Sequence, residues 1–167
     1  PIALGNPSSA EILVLVLNRL EQAVLSDRLQ RDGGNPSIAP ILDLFLAQPA
    51  STPCLVAVTE AARARIPKAV VIIAAEARGL MRRACYEEEL AQSLGLVNDS
   101  PDARPSIFND DEEFALLTKH DEVLLRALYD PRLRPGMREE RLRRLLPAVL
   151  EDALDSVGAR DLLAQGS

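Results

Sequence analysis

The stretch Glu88-Glu89-Leu90-Ala91-Gln92-Ser93-Leu94-Gly95-Leu96-Val97-Asn98-Asp99 carries the residues best placed to do chemistry. In an α-helix Glu88 and Gln92 lie one turn apart on one face, and Glu89 is rotated by about 100° from Glu88. Side chains at i and i+4 converge readily on one metal ion, and a neighbouring carboxylate can take a proton from water held there. Glu88, Gln92 and Asn98 are therefore candidate metal ligands, and Glu89 is a candidate general base. Their carboxylate and amide oxygens suit Ca²⁺, Mg²⁺ or Mn²⁺ better than Zn²⁺, so the expected cofactor, if there is one, is a hard divalent cation. The alternative is a solvated helix face, because carboxylates near a helix start favour the dipole.

Other polar residues carry less. Asp99, Asn109, Asp110 and Asp111 could add oxygens, but Asx residues among serine and proline ordinarily make turns and helix caps. The single histidine, His120, sits beside Asp121 on a capping turn, where a cap-bonding or exposed role is the default and a lone catalytic base the alternative. One histidine and no C-x-x-C exclude an ordinary Cys/His zinc site. Ser93 and Ser106 lack a G-x-S-x-G elbow. Arg82 and Arg83, with Arg138, Arg141, Arg143 and Arg144, read as solvated helix faces.

The elements that must position these residues follow from patterning. Ser8 with Glu11 is a capping-box signal, and Ile12, Val16, Leu20 and Val24 recur every fourth residue, so a helix is expected over about residues 9–30. Its first half, ILVLVL, is apolar all round and also fits a buried strand. A short helix over residues 38–47 carries Pro40 in its first turn. Residues 54–59 and 69–74 are β-branched runs expected to pair as an antiparallel hairpin, the second as an interior strand. Helical patterning returns from Glu76 and stops at Gly95. Thr118 with Asp121 caps a helix whose apolar face is Val123, Leu124, Ala127 and Leu128. A last helix over about residues 138–154 is bent or interrupted at Pro147.

A chain of 167 residues, 47% hydrophobic, suits a single domain over 1–167, with residues 138–167 as a C-terminal helical extension. Its formal charge of -6 offers no basic footprint for nucleic acid, and its 3% aromatic content offers no base-stacking platform. The longest apolar runs fall far short of the ~20 residues of a membrane helix, so no transmembrane segment is expected. Cys54 and Cys85 flank the strand pair and the following helix. They could form a disulfide or stay as two buried thiols.

Laid on the zinc-peptidase motif H-E-x-x-H-x-x-G-x-x-H, the chain places Glu88, Glu89, Gln92, Gly95 and Asn98 at first ligand, base, second ligand, glycine and third ligand. The spacing is kept and the histidines are replaced. Pro105-Ser106-Ile107-Phe108 resembles the S-I-M segment of the metzincin Met-turn, with Phe108 at the methionine position. Leu117-Thr118-Lys119-His120-Asp121 and Leu128-Tyr129 resemble the L-T-x-x-D helix and terminal L-Y that follow that turn.

Together with Cys85-Tyr86-Glu87, Asn98-Asp99-Ser100, Asn109-Asp110-Asp111 and Asp130-Pro131-Arg132-Leu133, these segments resemble the bacterial domain of unknown function 2927 family over about residues 54–137. The resemblance implies an α+β, zincin-like fold, helix-rich with a small sheet packed on the active-site-type helix. It also implies export to the periplasm or beyond, which favours a Cys54–Cys85 disulfide. The expected function is a degenerate peptidase-like module that binds or scaffolds a protein or peptide. The alternative is an active metal-dependent hydrolase with Glu89 as base.

Overall fold

The structure is a computed structural model that describes residues 10–32, 38–59, 68–109 and 115–159. These residues form five helices and a three-stranded sheet, an α+β architecture. The chain divides into two compact units, Pro1–Ser93 and Leu94–Ser167.

In the first unit the order is β1 (Ile12–Leu17), α1 (Arg19–Arg31), α2 (Ile38–Ala47), β2 (Cys54–Thr59), β3 (Lys68–Ala74) and α3 (Gly79–Ser93). The expected helix over residues 9–30 is corrected here: ILVLVL is a strand, and the helix begins only after it. Asn18 makes the turn between them, accepting from Glu21 N (2.9 Å) while its own N–H donates to Glu21 Oε2 (2.8 Å). Two otherwise orphaned amides are thereby satisfied. Ser8 lies outside the described residues.

β3 is the central strand, as its apolar character on both faces implies. It pairs antiparallel with β2, Cys54 facing Ile73, as the hairpin reading expects. It also pairs parallel with β1, Ile12 facing Ala69 and Leu17 facing Ala74.

Period-two alternation sorts the side chains into two layers. Val70 and Ile72 pack with Leu15, Leu17 and Leu55 against Leu42 and Phe45 of α2 and Leu25 and Leu29 of α1. Val71 and Ile73 pack on the opposite face with Val14, Val16, Cys54 and Val56 against Cys85 and Tyr86 of α3. Val71, Ile72 and Ile73 are fully excluded from solvent. A β1 sandwiched this way has no polar face, which is why its sequence shows no alternation. A disulfide joins Cys54 at the start of β2 to Cys85 on α3.

The second unit holds α4 (Lys119–Leu128) and α5 (Glu139–Val157). Val123 and Ala127 of α4 pack with Val149, Ala153 and Leu154 of α5. α5 thus supplies Val149, Ala153 and Leu154 to this core. Pro147 lies inside α5 without ending it. On its surface Arg143 pairs with Glu139 and Arg144 with Glu140, the solvated i, i+4 pattern expected of this basic set.

Candidate functional site

α3 presents Cys85, Glu89 and Gln92 on one face, at i, i+4 and i+7. Cys85 fixes that face toward the sheet through its bridge to Cys54. Glu89 and Gln92 retain only 6% and 8% of their exposure, which does not fit a solvated helix face. Glu88 is half-buried. A carboxylate excluded from water to this degree must be partnered, and none of Glu88, Glu89 and Gln92 is without an interaction. The helix stops at Ser93, whose hydroxyl donates to Leu90 O (2.6 Å). Gly95 then takes φ +122°.

Asn98 and Asp99 belong to the second unit and are exposed. The candidate ligand set is therefore one half-buried carboxylate, one buried amide and one exposed amide. This donor set does not fit zinc, which takes imidazole and thiolate ligands in closed tetrahedral sites. Among the described residues no group of three or more His, Cys, Asp or Glu side chains is arranged to hold a metal ion.

Arg82 departs from the solvated role expected of it. Its Nε donates to Ala77 O and its Nη2 to Ala75 O, both at 2.7 Å, satisfying carbonyls where the chain leaves β3 for α3. Arg83 does pair on the surface, with Glu87.

In the second unit Ser106, Ile107 and Phe108 are buried, at 0%, 6% and 4% exposure. The side chain that holds them is Asp121, itself fully buried. Its Oδ1 accepts from Ser106 Oγ, and its Oδ2 accepts from Ile107 N (3.0 Å) and Thr118 N (2.8 Å). Ser106 Oγ in turn accepts from Phe108 N (3.0 Å), and the Thr118 hydroxyl donates to Pro105 O (2.7 Å). The capping box read from Thr118 and Asp121 is present. Its carboxylate also clamps the loop of Ser106, Ile107 and Phe108 onto the start of α4, so the two segments share one hydrogen-bonded centre. The preceding Arg104–Pro105 peptide bond is cis.

Asn109 Nδ2 donates to Pro101 O and Ala103 O, both at 3.0 Å, as the turn reading of this Asx cluster expects. Asp110 and Asp111 lie outside the described residues. His120 Nδ1 is buried, makes no hydrogen bond among the described residues, and lies 3.7 Å from Asp121 Oδ1.

The Asp130-Pro131-Arg132-Leu133 segment is a second clamp. Arg132 Nε and Nη2 reach Asp130 Oδ1 and Oδ2 at 2.8 and 2.7 Å, and Nη2 also reaches Asp152 Oδ2 of α5 at 2.7 Å. Hydrogen bonds from the Arg132 side chain and backbone hold the Asp130 carboxyl down at about 2. The same bonds push the Arg132 guanidinium up. The Tyr129 hydroxyl donates to Leu94 O (2.8 Å), and burial raises its pKa.

A family model described as "Protein of unknown function (DUF2927)" matches residues 2–148, and so extends well to the N-terminal side of the motifs over residues 54–137. No curated protein and no solved structure matches the chain.

Proposed function

The chain belongs to the DUF2927 family, and from that membership we propose an extracytoplasmic, zincin-like module that keeps a peptidase-type helix without zinc catalysis and binds a protein or peptide. The observation that carries this reading is α3: the peptidase spacing places Glu89 and Gln92 on the inner, buried part of the helix, while every position that would bear a histidine bears Glu, Gln or Asn. Buried, partnered polar side chains at that spacing support a candidate site on the inner face of α3. The Cys54–Cys85 bridge supports an oxidising compartment, because such bonds persist where thiols are not continually reduced. No helix among the described residues is long and apolar enough to cross a membrane.

The burial of Glu89 favours a second reading, a hydrolase in which this carboxylate takes the proton of an attacking water. One experiment separates the two. The purified chain and its Glu89→Gln variant are incubated with a peptide library, and both capture and cleavage are scored. Capture without cleavage, in both proteins, is the expected result. Cleavage by the unaltered chain that vanishes in a folded Glu89→Gln variant would replace the binding reading with the hydrolytic one.

A further inference from the structure

In the first unit a pocket of about 320 Å³ lies where the parallel strands β1 and β3 end. Ala74, the last residue of β3, lines it, as do Arg19 at the start of α1 and Met81 in the first turn of α3. Open sheets commonly bind ligands beyond the carboxyl ends of parallel strands, where the chain turns away into helices. Phe45 of α2, 1% exposed, gives the pocket an apolar wall.

Two opposite charges line this pocket without pairing with each other. Arg19 Nη2 donates to Leu46 O and to Gln48 O (3.3 Å), which fixes the guanidinium. Its Nε and Nη1 have no partner among the described residues. Glu76 is exposed and has neither a hydrogen bond nor an ion pair among the described residues. The remaining Nε–H and Nη1–H groups are charged donors for a carboxylate oxygen, and the glutamate offers an acceptor for an ammonium. Thr52 and Ser51 add hydroxyls beside the apolar Phe45 and Met81. The volume is at the low end of the ~300–1,000 Å³ typical of ligand sites, which suits a small ligand better than a large cofactor.

We propose that this pocket binds a free α-amino acid with an apolar side chain, the carboxylate on Arg19, the ammonium on Glu76, and the side chain between Phe45 and Met81. This assignment is independent of the role given to α3 above.

The test is a titration of the ¹⁵N-labelled chain with L-leucine, with 4-methylpentanoate (no amine) and with 3-methylbutylamine (no carboxylate), following the amides of Thr52, Ala77 and Met81. Leucine should shift these amides, and each half-ligand should bind about fivefold more weakly or worse. Glu76→Gln, at an exposed position, should make leucine and 4-methylpentanoate bind equally well. Arg19→Gln, checked for folding by its melting curve, should lose leucine binding. Should Arg19→Gln fail to fold, the Glu76→Gln comparison decides alone. Amides unmoved by millimolar leucine, or equal binding of leucine and 4-methylpentanoate by the unaltered chain, would overturn the proposal.

Discussion

Replacing Asp121 should unlock the loop that carries Ser106, Ile107 and Phe108. The Asp121 carboxylate is fully buried and receives three hydrogen bonds, from Ser106 Oγ, Ile107 N and Thr118 N. Asp121→Ala removes the acceptor for all three and strands the Ile107 amide in a buried position. Net hydrogen bonds to a charged group are worth ~1.5–3 kcal/mol, and stranded buried donors add to the loss, so a destabilisation of about 3–5 kcal/mol is expected. Asp121→Asn should be milder, about 1–2 kcal/mol. Its oxygen can take the Oδ2 role, accepting from the Ile107 and Thr118 amides, while its NH₂ donates to a Ser106 hydroxyl that rotates to receive it. Hydrogen exchange at the Ile107 and Thr118 amides reads this directly. At about 1.4 kcal/mol per tenfold, exchange should quicken by roughly two to three orders of magnitude in Asp121→Ala and by about one in Asp121→Asn. A change of less than about 1 kcal/mol in Asp121→Ala, or an Asn variant as damaged as the Ala variant, would refute the reasoning.

Three further outcomes follow from the same structure. Removing the Cys54–Cys85 bridge, which spans 31 residues, frees the unfolded chain enough to cost about 3–4 kcal/mol. The Cys54→Ala/Cys85→Ala variant should melt well below the parent, and superimposable melting curves would contradict this. Asp130 is held at about 2 against an ordinary value of 3.8. Because its folded pKa is depressed, the stability it contributes is complete above about pH 4 and is lost as pH falls toward 2. In Arg132→Gln an NMR titration should return the Asp130 carboxyl toward 3.8, whereas the same midpoint in both proteins would show that Arg132 is not the cause. Gly95 has φ +122°, and an added Cβ would lie 3.2 Å from Leu128 Cδ2. Gly95→Ala should therefore lose about 1–3 kcal/mol in urea unfolding, and more than Gly136→Ala, whose added Cβ meets open space. The reverse order would count against the tight approach at Leu128.

The particular residues show where sequence reasoning succeeds and where it stops. β2, β3 and their antiparallel pairing were legible because β-branched runs of strand length leave few alternatives, and the helix end near Gly95 was legible because a positive φ there favours glycine. β1 was not, because a strand covered on both faces has no alternation, and a short apolar run does not distinguish strand from helix. The Asn18–Glu21 capping box marks the true helix start, but it lies within a stretch whose apolar spacing also fits an unbroken helix. Thr118 and Asp121 were legible as a cap because that bond is local. The hold of Asp121 on Ser106 and Ile107, and through Ser106 on Phe108, crosses 14 to 15 residues and depends on tertiary packing. The spacing of Glu88, Glu89 and Gln92 was visible in sequence. The burial of Glu89 and Gln92 was not, since helical periodicity gives the angle between side chains and not which of them faces the sheet.

Metal analysis of the purified chain after exhaustive dialysis tests the central claim most directly. One carboxylate and two neutral amides stand where the peptidase motif has three histidines, so zinc well below stoichiometric is the expected result. Stoichiometric zinc retained through dialysis would contradict it.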